Sequence, residues 1–428
     1  MNRRLAALLV LVAACGDSSA TPTVSATDGD AAASTQEPTG DHASASTEDH
    51  GTSTETATTG ESDAESDGPT TTTGASAACG DGVVEARELC FHPPLRLAHG
   101  FEVVDVLAAD LDRDGHTDLA LVDIVDPRIW LLYGDGTGDF SRAQDLPGLS
   151  LTRGVAAHGH AGGAPLDLTT AELGFDAIGR HRAGDRPRTY ALPTATATGH
   201  RPRALVADDL DGDGDDDLVL IAEGSAEAIV LLFDGDQIAA TTSYPVGEEP
   251  YGVAVGDLDD DGRRDLAVVN RADGTASLLL GDGAGGFAAA LTVDTTADPR
   301  SVVIADVDGD GRPDLGIAGY DSHTIEVLRQ RGPLDFVAVD FLVDAGPYAI
   351  ASADLDRDGT MDLAVVDHWG GEVLVLHRTD ERVPRLTRLY ADGTAFDVAI
   401  ADLDHDGALD LAVATSQPSG VTILLADP

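Results

Sequence analysis

The chain has 428 residues, with 76 acidic residues against 26 basic ones and a formal net charge of −50. None of the basic residues is Lys, so every formal cation is an Arg. Proteins that bind nucleic acid displace phosphate counterions with clustered positive charge, so a nucleic-acid partner is excluded. An apolar content of 42% is enough for a core, and 48 Gly indicate many tight turns.

Residues 1–14 have the form of a secretory signal peptide. Two Arg precede an apolar run over residues 5–14, which is too short to span a bilayer. The end of this run, Leu11–Cys15, resembles a bacterial lipobox, and this resemblance implies lipid attachment at Cys15. Gly16 rather than Asp follows the cysteine, which favours the outer membrane or cell surface over the inner membrane. The alternative is an ordinary signal peptide with an incidental cysteine.

Residues 15–78 are predicted to form a disordered acidic tether. They consist mainly of Ser, Thr, Ala, Gly, Asp and Glu, and such a segment buries too little apolar area to offset the entropy of ordering it. The short segment 79–91 follows and holds Cys79 and Cys90. With Cys15 lipidated, a disulfide between these two cysteines is the simple expectation in an oxidising compartment.

The rest of the chain, residues 92–428, repeats one acidic motif. The motif is Asp-x-Asp-x-Asp-Gly with a further Asp three residues after the Gly, and its copies start at Asp110, Asp209, Asp257, Asp306, Asp354 and Asp402. These starts lie 99, 48, 49, 48 and 48 residues apart, so the double gap predicts a decayed copy near residue 159. In that copy Gly159, Ala161 and Gly163 replace the first three Asp. The sequence therefore holds seven units of about 48 residues.

Each unit is predicted to be a four-stranded blade. Short β-branched and small-residue runs flank the acidic loop, Gly-rich turns separate later runs, and no stretch has sustained helical periodicity. Four short strands per unit, seven times, indicate an all-β fold, a seven-bladed β-propeller, on an N-terminal disordered lipoprotein stalk. A solenoid is disfavoured because its acidic repeats are much shorter. We expect residues 93–99 to pair with the last blade as its outer strand and to close the ring.

The acidic loops are predicted to bind metal. Asp at positions 1, 3 and 5, a Gly turn at position 6 and Asp at position 9 direct carboxylates to one point, and all-oxygen ligation favours Ca²⁺ over Zn²⁺ or Mg²⁺. The alternative is a solvated acidic turn, and in blade 2 no metal is expected. The predicted ligands are Asp110, Asp112, Asp114 and Asp118; Asp209, Asp211, Asp213 and Asp217; Asp257, Asp259, Asp261 and Asp265; Asp306, Asp308, Asp310 and Asp314; Asp354, Asp356, Asp358 and Asp362; and Asp402, Asp404, Asp406 and Asp410.

The repeats resemble the FG-GAP/VCBS repeats of integrin α-chain N-terminal propellers and bacterial surface proteins. Residues 265–270 with the Gly-rich stretch 280–287 are especially similar to the VCBS form. This resemblance covers residues 92–428. It implies a seven-bladed propeller with Ca²⁺ in the loop that joins strands one and two, up to six structural ions in all.

A second set of candidates lies six residues before each first loop Asp, where strand one begins. The residues there are Val104, Arg153, Arg203, Tyr251, Arg300, Tyr348 and Phe396. Because strand one is innermost in a propeller, they are expected to ring the channel mouth opposite the loops. The Arg and aromatic members, Arg153, Arg203, Tyr251, Arg300, Tyr348 and Phe396, suit an anionic group, a glycan or a peptide side chain. The alternative is that they are packing plugs.

Blade 2 differs in charge from the rest of the chain. Residues 151–200 hold five Arg and four acids, so this blade is positive in an acidic protein. It either docks an acidic partner or has drifted after losing its metal. His158 and His160 lie close together there, but no third ligand is evident.

The sequence favours a binding module over an enzyme. It has no nucleophile motif, no phosphate loop before a helix and no cysteine free for catalysis. The first hypothesis is a monomeric, lipid-anchored, calcium-stabilised propeller of the bacterial cell envelope that binds a protein or glycan. The membrane is reached only through Cys15. The alternatives are an enzyme acting on polysaccharide or phosphoester, and a structural envelope component.

Overall fold

A computed structural model describes residue 89 and residues 91–98, 102–140, 142–160, 165–343, 346–377, 385–417 and 419–428. The predicted signal peptide, the tether, lipidated Cys15 and the Cys79–Cys90 disulfide lie outside these residues, and they stay predictions. In the described part of the chain no helix has the length and apolarity needed to cross a membrane.

The described residues form 28 strands. Strand β1 (Leu95–Ala98) comes first. Blades 1 and 2 consist of β2 (Val103–Ala109), β3 (Asp118–Asp123), β4 (Arg128–Tyr133) and β5 (Arg142–Pro147), then β6 (Thr152–His158), β7 (Asp167–Glu172), β8 (Ala177–His181) and β9 (Thr194–Ala197). Blades 3 and 4 consist of β10 (Pro202–Asp208), β11 (Asp217–Ala222), β12 (Glu227–Asp234) and β13 (Gln237–Pro245), then β14 (Pro250–Gly256), β15 (Asp265–Asn270), β16 (Thr275–Leu279) and β17 (Leu291–Asp294). Blades 5 to 7 consist of β18 (Pro299–Ala305), β19 (Asp314–Gly319), β20 (Thr324–Gly332) and β21 (Asp335–Leu342), then β22 (Pro347–Ala353), β23 (Asp362–Asp367), β24 (Glu372–His377) and β25 (Arg385–Tyr390), and finally β26 (Ala395–Ala401), β27 (Asp410–Ser416) and β28 (Ser419–Leu424).

The strands form seven antiparallel sheets of four strands each. In blades 1 to 6 the order within a sheet is the order in the chain, for example β2-β3-β4-β5. The first strands of neighbouring blades contact one another all the way round, including β2 with β26, so they line the centre of the ring. The predicted all-β, seven-bladed propeller is therefore confirmed.

Burial explains the composition of the strands. The second strands, such as β3 and β23, are buried at every residue because both of their faces pack against neighbouring blades. Outer strands such as β21 instead alternate between exposed and half-buried residues, as expected at an edge. The apolar core therefore lies between the blades, and β-branched and small residues dominate it.

The ring closes through the N-terminal strand. β1 pairs antiparallel with β28, with Leu95 opposite Ile423 and Ala98 opposite Gly420. Before β1, the backbone N–H of His92 donates to the carbonyl of Leu425 at 2.8 Å. The closure predicted for residues 93–99 is confirmed, and β1 supplies the outer strand of blade 7.

Two faces of the ring are used below. The loop face is the one where each first strand ends and the acidic loop begins. The mouth face is the opposite one, where the second strand turns into the third and the fourth strand ends. On the mouth face, every first strand has a register shift at its second or third residue, for example between Val103 and Asp105 and between Pro250 and Gly252. Such β-bulges change the direction of one side chain. They therefore turn the residues that lie six positions before each first loop Asp out of the regular alternation of the strand.

Candidate functional site

In five of the six intact loops, the Asp at position 9 clamps the loop to the end of the third strand. In blade 1, Asp118 Oδ2 accepts the backbone N–H of Leu111 at 2.9 Å, and its Oδ1 accepts that of Gly134 at 2.9 Å. The same two contacts recur at Asp217, Asp265, Asp314 and Asp410. Blade 2 keeps half of this arrangement, because Asp167 Oδ1 accepts the N–H of Ala183 at 2.8 Å. Position 9 is thus a structural carboxylate whether or not a metal is present.

Position 1 holds the turn. Asp110 Oδ2 accepts the N–H of Gly115 at 3.1 Å, and the equivalent bond to the position 6 Gly occurs in all six intact loops. Gly115 has a φ of 90° and nothing within 4 Å of where a Cβ would stand. The left-handed backbone rather than a lack of space therefore requires glycine here.

Positions 1, 3 and 9 converge. In blades 1, 3, 4 and 5, one oxygen from each of these three Asp lies within 4.8 Å of the other two. Asp110 Oδ1, Asp259 Oδ1 and Asp402 Oδ1 are buried and have no hydrogen-bond partner among the described residues. Each ionised pair at 4.8 Å costs at least about 3.5 kcal/mol at an effective dielectric near 20. Three convergent carboxylates, with one buried unsatisfied oxygen in each of the loops of blades 1, 4 and 7, fit a divalent cation that prefers oxygen ligands.

Position 5 has a different local role. Asp114 Oδ1 accepts the N–H of His116, two residues on, at 3.0 Å. The same short turn occurs at position 5 in the other intact loops. In blade 5 the other oxygen of Asp310 also pairs with Arg312 at 2.9 Å. The three-oxygen clusters therefore consist of positions 1, 3 and 9, whereas four converging carboxylates were expected from the spacing.

Burial disfavours the ionised form of the loop carboxyls. It raises the pKa of Asp118, Asp314 and Asp410 to about 7 and that of Asp217 to about 6, and the charge at position 3 adds to each increase. At position 3, burial and then neighbouring carboxylates raise the pKa of Asp211, Asp259, Asp308, Asp356 and Asp404. A bound cation would favour the ionised forms and oppose these shifts.

The loop of blade 1 already holds a cation from its neighbour. Arg188 of blade 2 donates from Nε to Asp112 Oδ2 and lies 3.3 Å from Asp114 Oδ2 through its other nitrogen. Its guanidinium also lies 4.3 Å from the ring centre of Tyr133. Sequence reasoning missed this contact, because 76 residues separate Arg188 from Asp112.

The end of the third strand, 15 residues after position 9, further distinguishes the loops. In blade 5, Arg329 Nε lies 3.7 Å from Asp308 Oδ2. In blade 6, His377 Nδ1 lies 3.6 Å from Asp356 Oδ2 and 3.3 Å from Asp362 Oδ1. The residues at this position are Tyr133, Arg182, Leu232, Leu280, Arg329, His377 and Leu425. The sequence shows the spacing, but only the structure shows that the residues at this position face the loop.

Ion pairs surround the decayed loop of blade 2. Arg180 donates to Asp167 Oδ2 at 3.0 and 2.7 Å, and Arg182 pairs with Asp236 of blade 3 at 2.5 Å. The N–H of Gly159, where a first loop Asp would stand, donates to Asp216 of blade 3 at 2.7 Å. Three of the five Arg of this blade therefore serve internal contacts, namely Arg180, Arg182 and Arg188.

The predicted channel-mouth residues meet one another. Tyr251 and Tyr348 lie 2.5 Å apart through their hydroxyl oxygens, and Arg203 lies over the ring of Tyr251 at 3.7 Å from its centre. The ring of Phe396 contacts that of Tyr348 edge-on. Every member of the set is buried, and the list is Val104, Arg153, Arg203, Tyr251, Arg300, Tyr348 and Phe396. Their contacts with one another close this end of the channel.

Carboxylates of neighbouring elements satisfy the charged members. Arg203 donates to Glu223 at 2.7 Å, and Arg300 donates to Asp298 at 2.9 Å. The guanidinium of Arg300 also lies 3.8 Å from the ring centre of Tyr320. Arg203 and Arg300 are thus neutralised inside the cluster, which favours the packing alternative that the sequence left open.

From this cluster, aromatic rings lead outward to the surface. His368 stacks on Tyr348 at 4.9 Å, and Trp369 contacts both His368 and Tyr320. Trp369, at the tip of the turn after β23, has 69% of its surface exposed.

Two buried carboxyls pin the closing blades together. Asp105 accepts the N–H of Val155 in blade 2 at 2.7 Å, and Asp397 accepts that of Val106 in blade 1 at 3.1 Å. Burial raises the pKa of Asp105 to about 7 and that of Asp397 well above its usual value, and the nearby Asp105 carboxyl adds to the increase at Asp397.

Comparisons with known proteins agree with this geometry. A family model described as FG-GAP-like repeat matches residues 209–268, 257–317 and 308–365, which contain the loops of blades 3 to 6. Among solved structures, the chain is similar to BBS1N in complex with ARL6DN, in crystals soaked with lead and with mercury. Both have a TM-score of 0.58 and 16% identity over 79% of this chain and 97% of that chain, so they show the fold alone. No curated protein sequence matches the chain.

Proposed function

This chain is a seven-bladed β-propeller with FG-GAP-like repeats, and from that premise we propose that it binds a protein or glycan partner through its mouth face. Calcium in the acidic loops stabilises the scaffold, and a lipid on Cys15 anchors it in the bacterial cell envelope, at the outer membrane or cell surface. In this proposal the chain acts as a monomer and has no catalytic activity.

The distribution of exposed apolar side chains carries the proposal. Of the ten large hydrophobic side chains exposed in the described part of the chain, six belong to the mouth face, namely Val125, Leu151, Phe175, Leu342, Trp369 and Tyr390. The other four lie near the starts of outer strands. Exposed aromatic residues are typical of binding surfaces, where they bury a large area at a small entropic cost. Propellers of this fold bind proteins, as BBS1N does in its complex with ARL6DN.

Both protein and glycan remain suitable partners in chemical terms. Phe175, Trp369 and Tyr390 offer flat apolar rings that stack equally well on a sugar face or on a peptide side chain. The buried Arg residues behind them are neutralised internally, so recognition by the outer aromatic residues is expected to be largely independent of charge.

The calcium part rests on the unsatisfied loop oxygens. Asp110, Asp259 and Asp402 each keep one buried carboxylate oxygen without a hydrogen-bond partner among the described residues. Leaving such oxygens unsatisfied is costly, and a bound Ca²⁺ would use them while linking the first and second strands of a blade. The cation would thus act on stability and leave the mouth face free.

Binding by the full chain to a glycan array and to solubilised envelope proteins tests the first part. The Trp369→Ala variant should lose at least about tenfold in affinity for any captured partner, as expected for a buried aromatic contact. Leu192→Ala is the matched control, because Leu192 is 76% exposed but lies outside the mouth face. Equal losses in both variants, or turnover of a polymer that survives Trp369→Ala, would contradict the proposal.

The anchor is tested separately. The Cys15→Ser variant should be released from the membrane fraction and lose the fatty-acid mass on its N-terminal peptide. Retention of the variant in the membrane would argue against lipid attachment at this cysteine.

A further inference from the structure

We propose that the loop of blade 6 is a mixed nitrogen and oxygen site that binds a transition-metal dication such as Zn²⁺ in preference to Ca²⁺. The inference rests on the proposed cation-binding role of the loops and adds selectivity to one of them. His377, at the end of β24, is the residue that distinguishes this loop from the others.

Three side chains form the site. His377 Nδ1 lies 3.3 Å from Asp362 Oδ1 and 3.6 Å from Asp356 Oδ2. The three side chains are at most 3% exposed. A tetrahedral ion with bonds of about 2.0–2.1 Å places its ligand atoms about 3.4 Å apart, which agrees with both distances.

The short contacts are not hydrogen bonds. His377 Nδ1 and Asp362 Oδ1 are both buried and have no hydrogen-bond partner among the described residues, although they are only 3.3 Å apart. Hydrogen bonding depends on direction as well as distance, so these atoms do not point at each other. Two buried polar atoms that face a common space without bonding to each other are the arrangement that a shared ion would satisfy.

The other ring nitrogen fixes the imidazole. His377 Nε2 lies 3.0 Å from Thr387 Oγ1 on the adjacent strand β25. If Nε2–H donates to this hydroxyl oxygen, the lone pair of Nδ1 is left for a metal. Histidine ligands in metal sites are commonly oriented by such a partner on their second nitrogen.

Donor chemistry then sets the preference. Imidazole is a ligand for zinc, copper, nickel and iron, whereas Ca²⁺ takes oxygen ligands. Asp354 of the same loop also keeps a buried Oδ1 that has no hydrogen-bond partner among the described residues. Blades 3, 4 and 7 have Leu at the position of His377, so their loops offer oxygen alone.

The proposal is tested on the full chain by metal titration in excess Ca²⁺, with bound zinc measured by mass spectrometry of the dialysed protein. Wild-type protein should retain one Zn²⁺ that His377→Leu does not, and Leu is the residue found at this position in other blades. The matched gain-of-function variant is Leu280→His in blade 4, which should acquire a second Zn²⁺. Thr387→Val should lower zinc affinity by about 10-fold to 100-fold, as loss of a ligand-orienting partner does.

Cobalt gives a readout of the ligands themselves. Co²⁺ at the blade 6 site should show visible absorption bands of a four-coordinate ion, present in the wild type and absent in His377→Leu. Zinc retention by His377→Leu at wild-type affinity would overturn the proposal. So would calcium loading of blade 6 equal to that of blade 4. If no loop binds calcium but His377 still governs one zinc ion, the calcium proposal fails and this one stands.

Discussion

Substituting one loop carboxylate should stabilise the metal-free chain and weaken its stabilisation by calcium. In blade 4, Asp259 occupies position 3, and its oxygen lies within 4.8 Å of oxygens of Asp257 and Asp265. Burial raises the pKa of Asp259 and Asp265, so an alkaline buffer at about pH 8.5 is used to favour their ionised forms in the metal-free chain. Asp259→Asn then removes at least one repulsion of about 3.5 kcal/mol.

The expected shifts are measurable. Unfolding entropy of about 2.1 cal/mol/K per residue over residues 92–428 gives roughly 1.4 °C in melting temperature for each kcal/mol. In chelator, Asp259→Asn should therefore raise the melting temperature by about 5 °C. A roughly 100-fold loss of affinity at one site lowers the stabilisation by saturating calcium by about 2.7 kcal/mol, so the rise in melting temperature on adding calcium should be about 4 °C smaller for the variant than for the wild type.

Thermal unfolding followed by circular dichroism, with and without chelator, measures both shifts. Asp260→Asn is the matched control, since Asp260 is an exposed neighbour in the same loop and is not one of the clustered oxygens. It should shift the melting temperature little in either buffer. If Asp259→Asn lowers the melting temperature in chelator, repulsion among these carboxylates does not limit the stability of the metal-free protein, and the reasoning is refuted.

Three further predictions concern the loops and the closure. Arg188→Met should raise calcium affinity at the blade 1 loop by about tenfold or more, because the guanidinium that pairs with Asp112 is gone; calorimetry against Arg186→Met, an exposed neighbour, checks this. Deleting residues 1–98 should cause aggregation in light scattering, since β28 then becomes an unpaired edge. In chelator, the melting temperature should fall as the pH rises from about 4 to above 7. Carboxyls whose folded pKa is about 7 against 3.8 when unfolded, such as Asp118, stabilise fully below 3.8 and lose that contribution through 7; a flat profile would contradict this.

Much of the architecture followed from the sequence because the repeats are in register. Six motifs spaced by about 48 residues fix the number of blades, and one decayed copy completes the ring. The closing strand was predictable for the same reason: blade 7 lacks a fourth strand, and residues 95–98 precede an otherwise complete first blade. Because the units repeat, the strands of one unit predict those of the others, so few contacts between distant residues had to be inferred.

The mouth was only partly predictable. The spacing placed Arg203, Tyr251 and Tyr348 on one ring, and the structure brings them together. No sequence pattern indicated that Glu223 and Asp298 neutralise Arg203 and Arg300, because these partners come from other strand ends and turns. The bulge in each first strand, which directs these side chains inward, also has no distinctive residue pattern.

The loops show most clearly why a motif does not determine a site. All six intact loops share their Asp and Gly, yet their surroundings differ in charge and in ligand type. Arg188 reaches blade 1 from another blade, Arg329 approaches the blade 5 loop, and His377 approaches that of blade 6. These contacts come from residues at the ends of third strands and in neighbouring blades, and such residues are not part of the repeated motif. Blades 3, 4 and 7 are therefore expected to bind calcium most tightly.

The decayed blade separates the two roles of the loop carboxylates. Blade 2 has lost the Asp at positions 1, 3 and 5 but keeps Asp167 at position 9. Asp167 still accepts the N–H of Ala183, the same clamp that Asp118 and Asp410 form in intact blades. The positive charge comes from Arg180, which pairs with Asp167 at 2.7 Å and occupies no loop position of its own. Position 9 therefore meets a requirement of the blade itself, and blade 2 keeps this clamp without the Asp at positions 1, 3 and 5.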